Sequence, residues 1–408
     1  MKYDAIIIGG GASGLMAAIT ASGLGKKVLL FEKNDRLGKK LLITGKGRCN
    51  VTNNCSVDEL IKNIPSNPRF LYSAFSQFSS EDTMNFFENI GVPLKTERGN
   101  RVFPQSDKSS DIVNSLIKTA KDYGVEILNK KVSSLIIKDN TILGIETSGE
   151  KYYSDSVLIA TGGKSYHLTG STGDGYIFAE KAGHKIIPLK PSLVPIVTKE
   201  KYPTEMMGLS LKNVNLSVVD KTTGKKIYSE MGEMLFTHFG VSGPIVLSAS
   251  SRIRTEEAER YIFYIDMKPA LSEEKLDLRL QKDFSENINK DYINSLNKLL
   301  PTKMIPVFVK LSGIPMDTKV NQITREQRRN IVNLMKNMPF TMKSFRPIDE
   351  AIITSGGVDT NEINPKTMES KLVKGLYFAG EVIDVDAYTG GFNLQIAFST
   401  GYVAGINM

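Results

Sequence analysis

The chain has 408 residues, of which 41% are hydrophobic and 24% are charged, and this balance is typical of a folded globular protein with more than one domain. No apolar run approaches the roughly 20 residues that a membrane span requires, and the apolar start of the chain leads into glycines instead of a signal-peptide cleavage site. Two cysteines and three histidines provide neither a disulfide framework nor the ligands of a dedicated zinc site. We therefore expect a cytoplasmic protein with no membrane partner and no metal.

The net charge of +8 is concentrated in residues 268–343, which carry 14 Lys and Arg against 8 Asp and Glu. A basic surface of this kind attracts nucleic acids or acidic ligands. No nucleic-acid-binding motif accompanies the charge, and a solvated helical face has the same composition. We therefore interpret these residues as a solvated face and expect a small-molecule substrate rather than a nucleic-acid partner.

The first 33 residues predict a strand, a helix and a second strand, in the order of a right-handed βαβ unit. "YDAIIIG" is a continuous apolar run typical of a buried parallel strand, "GGGASGLMAAITASGLG" continues into good helix formers, and "KKVLLFEK" is the second strand. Helices are next predicted over "EDTMNFFENI" and "DIVNSLIKTAKDY", each between a serine and a glycine. Residues 125–160 then predict successive strands with a hairpin turn at Asp139-Asn140.

The composition of the chain changes near Pro188. After this point, stretches of alternating polar and apolar residues predict strands in "LKNVNLSVVD", "KKIYSEMGEMLFTH" and "RYIFYIDM". The pattern is helical from Leu271 to about Met338, returns to buried strands in "AIITSGGV" and "KGLYFAGEVID", and ends in a helix over "GGFNLQIAFSTGYVAG". We therefore predict an α/β fold in which a discontinuous nucleotide-binding domain carries an insert. The predicted boundaries are 1–189 and 344–408 for the nucleotide-binding domain, 190–268 and about 336–343 for a β-rich insert domain, and 269–335 for a helical subdomain of the insert.

The motif Gly9-x-Gly11-x-x-Gly14 lies between the first predicted strand and helix, where such a motif binds a dinucleotide. Gly9 permits the tight turn, Gly11 lets the backbone approach a pyrophosphate, and Gly14 lets the helix pack closely on the strand. Glu32 ends the second strand, where a carboxylate accepts hydrogen bonds from a ribose diol. This context favours a dinucleotide site over a glycine-rich turn beside a surface glutamate.

Glycine-rich strand ends recur far downstream in "LIATGG" and "LYFAGEVID", which favours FAD because an extended FAD molecule needs contacts from several strand ends, and "TGGFNLQ" begins the last predicted helix. Gly380 and Glu381 would place a carboxylate beside the ribityl chain. The last helix would present its N-terminus to the pyrimidine edge of the flavin, where it stabilises the negative charge of the reduced ring. No second G-x-G-x-x-G unit occurs for a nicotinamide, so NAD(P)H would bind transiently in the substrate cleft.

Five long motifs together resemble one bacterial family: "GGGASGLMAA", "LLITGKGRCNVTN", "ATGGKSYHLTGSTGDGY", "GEMLFTHFGVSGP" and "FAGEVIDVDAYTGGFNLQIAFSTG". This is the BaiN/YhiN-type, aminoacetone-oxidase-like family of NAD(P)/FAD-dependent oxidoreductases, and the resemblance spans essentially the whole chain. It implies a Rossmann-like FAD-binding domain similar to those of glutathione reductase and fumarate reductase, noncovalent FAD, and an inserted domain that combines a β-barrel-like part with a helical part. It also implies NAD(P)H-linked reduction, with the conjugated double bonds of 3-oxo bile acids as the family precedent.

The loop "GKGRCNVTN", residues 45–53, contains Cys49, and the resemblance places this loop beside the flavin ring. The C-x5-C spacing of Cys49 and Cys55 differs from the usual C-x-x-C of redox pairs, so we expect Cys49 to touch the ring edge without taking part in chemistry. The motifs and the resemblance together predict that FAD is bound by Gly9, Gly11, Ala12, Ser13, Gly14, Glu32, Lys33, Lys39, Lys40, Thr44, Gly45, Gly47, Arg48, Cys49, Asn50, Val132, Thr161, Gly162, Gly163, Gly380, Glu381, Asp384, Gly391, Phe392, Asn393 and Leu394.

Three residues are candidates for acid–base catalysis. His238 ends a predicted strand before a glycine turn, where its side chain would reach the cleft between the insert and the FAD-binding domain. A histidine satisfied inside the insert core is an equal alternative. Tyr166 and Tyr388 would donate a proton or orient a ketone, and each has core packing as its alternative role.

We therefore predict an FAD-dependent oxidoreductase that uses NAD(P)H and passes a hydride to an organic acceptor such as a conjugated enone. Two alternatives remain open. The first is a flavin oxidase that passes electrons from a small amine or a similar donor to oxygen. The second is a flavin-containing protein that binds or modifies nucleic acid through the basic helical insert.

Overall fold

A computed structural model describes residues 2–253, 257–286 and 288–408 of the chain. The chain forms two compact units: the first comprises Met1–Ser192 and Ile348–Met408, and the second comprises Leu193–Pro347. Within the described residues, no helix combines the length and the apolar character needed to cross a lipid bilayer.

The elements of both units follow in chain order. Up to Ser192 the strands are β1 (Lys2–Tyr3), β2 (Ala5–Ile8), β3 (Val28–Phe31), β4 (Thr52–Asn53), β5 (Leu94–Glu97), β6 (Arg101–Pro104), β7 (Glu126–Leu128), β8 (Val132–Lys138), β9 (Thr141–Thr147), β10 (Lys151–Ser154), β11 (Val157–Ile159) and β12 (Ile186–Ser192). The helices of this stretch are α1 (Ala12–Gly23), α2 (Lys39–Ile43), α3 (Val57–Lys62), α4 (Tyr72–Gln77), α5 (Ser80–Asn89), α6 (Ser109–Asp122) and α7 (Asp174–Lys181).

The second unit contains the strands β13 (Ile196–Thr198), β14 (Ser210–Asp220), β15 (Lys226–Phe236), β16 (Gly240–Ser242), β17 (Tyr261–Asp266) and β18 (Met338–Phe345). Its helices are α8 (Tyr202–Glu205), α9 (Pro244–Arg252), α10 (Glu273–Ser285), α11 (Tyr292–Ser295), α12 (Ile305–Ser312) and α13 (Arg325–Lys336). The chain then returns to the first unit with β19 (Ile353–Val358), β20 (Leu376–Phe378) and α14 (Phe392–Asn407).

A five-stranded parallel sheet in the order β20-β11-β2-β3-β7 forms the centre of the first unit. Every residue of β2 is buried, and Ile7 is paired with Leu30 on one side and Leu158 on the other. The apolar run of the sequence follows from this position, because a parallel strand covered on both faces has no polar side. The predicted βαβ unit is confirmed by β2, α1 and β3. The carboxyl ends of these strands lie along one sheet edge, which is where open α/β sheets bind ligands.

A second sheet of the first unit contains the predicted hairpin. Strands β8 and β9 pair antiparallel, and their turn is formed by Asp139 and Asn140 with φ angles of 48° and 53°. Positive φ at both central residues suits the twist of a two-residue hairpin, and Asp and Asn tolerate it well. The hairpin prediction is confirmed, whereas β10, which pairs with β9, was not predicted.

The second unit is built on a closed barrel in the order β13-β16-β15-β14-β17-β18. The strands predicted by alternation correspond to β14, β15 and β17, and the burial of β17 alternates strictly along its length. Helices α10 to α13 fall between β17 and β18 in the chain, and α13 begins with a reciprocal capping box between Thr324 and Gln327. A Rossmann-like domain with an inserted barrel and helical part is thus the observed fold class, as predicted.

A buried histidine joins the end of α7 to the segment between β19 and β20. Nδ1 of His184 lies 3.1 Å from Glu362 Oε2, and Nε2 lies 2.8 Å from the hydroxyl of Ser370. The ring packs edge-on against Phe378, and its side chain has no exposed surface. Burial lowers the pKa of His184, while the carboxylate of Glu362 acts in the opposite direction. The folded state therefore favours the neutral, unprotonated imidazole ring of His184.

We expect the stabilisation that His184 provides to be complete above about pH 6.5 and to be lost as the pH falls below it, because the unfolded chain then takes up a proton that the folded chain resists. His184→Gln should therefore lower the free energy of unfolding at about pH 8 and do so progressively less toward about pH 5. Urea unfolding across this range measures the difference. His167→Gln, at a histidine whose side chain is 51% exposed, is the control. Parallel pH curves for the wild type and His184→Gln would contradict the assignment.

Candidate flavin-binding site

The glycine motif after β2 combines two tight contacts with one open position. A Cβ atom on Gly14 would lie 1.9 Å from the carbonyl oxygen of Gly9, and Gly9 itself has a φ of 111°. A Cβ atom on Gly11 would meet no atom of the described residues within 4 Å. Gly9 and Gly14 are therefore required by the packing of the chain, whereas Gly11 leaves open space at the start of α1.

The N-termini of α1 and α14 have no side-chain cap. Helix α1 begins after Gly11 and α14 begins after Gly391, and neither has a capping side chain or an acidic residue in its first turn. Helix α5 differs, because Ser79 and Asp82 form a capping box at its start. The first N–H groups of a helix have no intrahelical partner, and the helix dipole adds positive charge there. Both bare ends are therefore suited to negatively charged groups.

Packing between the two helices is close because of small residues. A Cβ atom on Gly401 would lie 2.4 Å from the carbonyl oxygen of Ser13, and one on Gly405 would lie 2.7 Å from that of Ala17. Gly380 adds a third close contact, since a Cβ atom there would lie 2.6 Å from Ser13 Oγ. The start of α1 is thus held against both α14 and the end of β20.

Glu32 is buried at the end of β3, and three N–H groups donate hydrogen bonds to its carboxylate. Its Oε2 accepts the N–H of Gly10 at 2.9 Å, and its Oε1 accepts the backbone and side-chain N–H groups of Asn34 at 2.8 and 2.7 Å. A carboxylate has about four acceptor sites, so about one remains for a ribose hydroxyl. Two lysines near this end have carboxylate partners, since Lys33 pairs with Asp174 at 2.6 Å and Lys39 with Asp35 at 2.6 Å.

The loop of residues 44–50 has a backbone that few sequences adopt. Gly45, Lys46, Gly47 and Cys49 all have positive φ angles, and the N–H of Cys49 bonds to the carbonyl of Thr44 at 3.0 Å. The Thr44 hydroxyl donates to the carbonyl of Leu41 at 2.7 Å. The Oδ1 atom of Asn50 is buried and has no hydrogen-bond partner in the described part of the chain. Such an orphaned acceptor is costly unless a ligand donates to it.

The Cys49 thiol is fully buried, and its burial raises its pKa to about 12, although a contact with Thr44 acts in the opposite direction. A thiol in this state is a poor nucleophile, because the thiolate is the reactive form. Cys49 therefore contributes shape rather than reactivity to the loop.

Two carboxylates bind the guanidinium of Arg48, which belongs to this loop. Its guanidinium pairs with Glu97 at 2.5 Å and with Asp107, and it stacks over the ring of Phe103 with 4.1 Å between the charge centre and the ring centroid. These two hydrogen bonds raise the pKa of Arg48. The side chain thereby ties the loop to β5 and β6.

Polar side chains also tie the following strand, β4, to the start of α14. The hydroxyl of Thr52 donates to Gln395 Oε1 at 2.5 Å, and Asn53 Nδ2 donates to the carbonyl of Gly390 at 3.0 Å. Gln395 is fully buried, and its amide donates to the carbonyl of Phe78 at 3.1 Å. Thr52, Asn53 and Gln395 were not predicted as site residues, although all three lie inside the motifs "GKGRCNVTN" and "TGGFNLQ".

An ion pair between α2 and the segment that follows β20 involves two predicted residues. Lys40 Nζ lies 2.6 Å from Glu381 Oε2 and donates to the hydroxyl of Ser165 at 2.8 Å. Glu381 Oε1 accepts the N–H of Thr354 at 2.8 Å and the hydroxyl of Ser165 at 3.1 Å. A Cβ atom on Gly163 would lie 2.7 Å from Glu381 Oε1, so only glycine allows this network. Ser165 lies inside the motif "ATGGKSYHLTGSTGDGY" and Thr354 inside the predicted strand "AIITSGGV", but neither was predicted as a site residue.

Other predicted residues pack against neighbouring elements, and the buried Oγ1 of Thr161 has no hydrogen-bond partner in the described part of the chain. Thr161 Oγ1 faces α7, because a Cβ atom on Gly175 would lie 2.1 Å from it, while a Cβ on Gly162 would lie 3.3 Å from Ser171 Oγ. Asn393 Nδ2 donates to the carbonyl of Ala387 at 2.8 Å and closes the turn before α14. Val132 is buried at the start of β8.

Asp384 is half-buried beside Asn67, whose amide donates to Oδ2 of Asp384 at 2.9 Å. Burial raises the pKa of Asp384 and the charges of Asp386 and Asp359 add to this effect, while the Asn67 amide opposes it. Asp386 is buried and accepts the hydroxyls of Ser192 and Ser355. Asp384 therefore releases its proton less readily than an ordinary aspartate.

The acid–base candidates lie in different units. Tyr166 is half-buried in the first unit with a φ of 53°, and burial raises its pKa. Tyr388 is also in the first unit, where its N–H bonds to the carbonyl of Asn63 at 3.1 Å. His238 is exposed in the second unit, and its ring packs edge-on against Phe239 at 4.9 Å between centroids.

Together these features fit FAD. The open position at Gly11, the two bare helix ends and the orphaned Oδ1 of Asn50 supply what a pyrophosphate, a flavin pyrimidine edge and a flavin N–H each require. The first unit thus offers complementary groups to both ends of the cofactor.

A model of the HI0933-like protein Rossmann domain matches residues 3–407. The chain belongs to the HI0933-like Rossmann family. A 3-dehydro-bile acid delta(4,6)-reductase of Clostridium scindens is 31% identical over 98% of the chain and 97% of that protein. A ribosomal RNA dihydrouridine synthase of Haemophilus influenzae is 31% identical over 99% of the chain and 98% of that protein. These findings confirm the predicted family resemblance, and this HI0933-like chain is a flavoprotein oxidoreductase.

The fold has solved counterparts outside the HI0933-like family. A flavocytochrome c3 fumarate reductase in an open conformation superposes with a TM-score of 0.54 and 18% identity, covering 100% of the chain and 78% of that protein. At this level of identity the similarity concerns the fold alone.

We expect Gly11→Ala to fold normally and to bind FAD at least about tenfold more weakly, because the added methyl meets no protein atom but enters the space that the pyrophosphate needs. Flavin fluorescence quenching on deflavinated protein measures the dissociation constant, and urea unfolding measures stability. Gly23→Ala, at the other end of α1, is the matched control and should bind FAD as the wild type does. Unchanged FAD affinity in Gly11→Ala would refute this position for the pyrophosphate.

Proposed function

We propose that this protein is an FAD-dependent reductase that takes a hydride from NAD(P)H and saturates a carbon–carbon double bond conjugated to a carbonyl group. One observation carries the proposal: two relatives of equal identity have names that describe this same chemistry on different molecules. A 4,6-diene next to a 3-oxo group and the C5–C6 double bond of uridine are both conjugated to a carbonyl. In both, a hydride adds to a carbon that the conjugated carbonyl makes electrophilic, the β-carbon of an enone or the δ-carbon of a dienone, and a proton adds to the neighbouring carbon.

Noncovalent FAD, when bound, supplies a carrier that accepts a hydride at N5 and returns it to the acceptor. The chain's own part is to bind, orient and protonate. The bare end of α1 would hold the pyrophosphate, and the bare end of α14 would stabilise negative charge at the pyrimidine edge of the reduced ring. Asn50 Oδ1, a buried acceptor without a partner in the described part of the chain, would accept a hydrogen bond from the bound ring system.

Addition to a conjugated carbonyl also needs an acid that protonates the neighbouring carbon. Tyr166, Tyr388 and His238 are the proposed donors, since each carries an exchangeable proton and each lies within one of the family motifs. The Tyr166 hydroxyl is protonated at neutral pH, as that of an ordinary tyrosine is, and burial raises its pKa further. The balanced reaction consumes NAD(P)H and one proton and yields NAD(P)+ and the saturated carbonyl compound.

Uridine within RNA is a second candidate substrate. It is favoured by the Haemophilus influenzae relative, which covers the chain as completely as the bile-acid reductase does, and by the net charge of +8. The base offers the same conjugated system as a small enone, so the two candidates differ in how the substrate is held and not in the bond that is reduced.

Anaerobic stopped-flow mixing of the purified holoenzyme tests the proposal. We expect NADH or NADPH to bleach the flavin absorbance, and a 4-en-3-one steroid or deproteinised ribosomal RNA to restore it faster than buffer does. A flavin that neither nicotinamide bleaches would refute the reductase. Reduction by a small amine with rapid reoxidation by oxygen alone would instead establish the oxidase.

A further inference from the structure

Tyr166 has a backbone conformation that a bulky side chain rarely adopts. Its φ is 53°, and it is the only aromatic residue with a positive φ among the residues that the structure describes. The other two proposed donors, Tyr388 and His238, both lie in the described part of the chain and have no such angle. The Cβ atom makes this left-handed region costly, and such strain persists mainly at functional sites where neighbouring contacts enforce it.

One buried hydroxyl holds the two backbone N–H groups that precede Tyr166. Thr354 Oγ1, in β19, accepts the N–H of Lys164 at 2.8 Å and the N–H of Ser165 at 3.0 Å. Thr354 has no exposed surface, and its own N–H donates to Glu381 Oε1 at 2.8 Å. The Thr354 hydroxyl therefore fixes the chain on the N-terminal side of Tyr166 to β19.

Contacts on the C-terminal side hold the chain that leaves Tyr166. The carbonyl of Tyr166 accepts both the N–H and the hydroxyl of Thr169, each at 2.8 Å. The carbonyl of Thr169 in turn accepts Asn34 Nδ2 at 3.2 Å, and Asn34 is bound to the carboxylate of Glu32. The backbone of Tyr166 is thus fixed on both sides, which maintains its strained conformation.

The chain around Tyr166 passes from the core to the solvent within a few residues. Ser165 is buried and donates to Glu381 Oε1 at 3.1 Å, beside the ion pair of Glu381 with Lys40. Leu168 is 85% exposed. Tyr166 is half-buried between them, so it lies where the predicted cofactor-binding residues meet solvent and where a substrate can reach it.

We propose that Tyr166 is the proton donor of the reduction and that Thr354 is the residue that positions it. The phenol gives its proton to the carbon next to the one that receives the hydride, and the remaining phenolate takes a proton from water. The hydride, with both electrons of its bond, comes from NAD(P)H through the cofactor, so the acceptor gains two hydrogen atoms and NAD(P)H becomes NAD(P)+. A donor held in one place needs little rearrangement to reach the transition state. The inference rests on the proposed function, which names three donors without a choice among them.

Single-turnover kinetics of the holoenzyme test the donor. The flavin is first reduced with NADPH in the absence of oxygen, and the acceptor that reoxidises the wild type, a 4-en-3-one steroid or deproteinised ribosomal RNA, is then added. We expect Tyr166→Phe to slow this reoxidation at least about 100-fold, because the phenyl ring has no proton to give. Bleaching by NADPH needs no acid from the protein, so its rate should stay within about twofold of the wild type.

Thr354→Val tests the positioning role, because it removes the accepting hydroxyl and keeps the shape of the side chain. We expect it to slow reoxidation about tenfold and to speed hydrogen exchange of the Lys164 and Ser165 amides in the holoenzyme. Thr354→Ser keeps the hydroxyl and should restore both. Thr83→Val is the control, since it removes another fully buried hydroxyl, which donates to the carbonyl of Ser79 at 3.0 Å, and it should change neither measurement.

The outcomes separate the inference from the proposed function. A wild type whose reduced flavin is reoxidised by neither acceptor would overturn the proposed function and the inference with it. A wild type that reduces an acceptor, with Tyr166→Phe equally fast or with the loss found in Tyr388→Phe or His238→Gln instead, would overturn the inference alone. Normal reoxidation in Thr354→Val, or a loss that Thr354→Ser fails to restore, would overturn the positioning role.

Discussion

The close packing of α1 on α14 is the constraint on which the rest of the site depends. Gly401 and Gly405 bring the backbone of α14 against that of Ser13 and Ala17, and Gly380 admits the Ser13 side chain. No larger residue fits at these points without moving a helix. Both helices begin after a glycine with no capping side chain, so each has a positive N-terminal end. The packing of the helices fixes the positions of these two ends relative to each other, at the edge of the parallel sheet where ligands bind. A long cofactor with negative charge at two places suits such an arrangement.

The "GKGRCNVTN" loop joins this framework through polar contacts rather than through its thiol. Arg48 holds one side of the loop against Glu97 and Phe103, while Thr52 and Asn53 hold the other side against the start of α14. Between these anchors, Asn50 keeps a buried acceptor without a partner from the described chain. The loop therefore works by backbone shape and by one side-chain oxygen. Burial of Cys49 is part of that shape, since the thiol lies in the core.

The sequence predicted the elements that carry strong local signals. Each of these elements has a hydrophobic pattern or an end signal that can be recognised within a short stretch of sequence. They are the apolar strand β2, the glycine turn, the alternating strands β14 and β17 and the long final helix. Segments such as α2, α3, α4 and β10 were not predicted, because each has six residues or fewer and is stabilised by packing against distant parts of the chain. The same limit applies to the site. Lys40 and Glu381 lie 341 residues apart, and no local pattern links them or indicates that Ser165 and Thr354 complete their network.

A crystal structure of the protein with FAD bound tests the central claim most directly. The account predicts that the pyrophosphate accepts hydrogen bonds from the first N–H groups of α1, that the pyrimidine edge of the flavin lies at the first turn of α14, and that Asn50 Oδ1 gains a donor from the cofactor. A flavin bound with its pyrophosphate away from Gly11, or with Asn50 Oδ1 still lacking a partner, would contradict it.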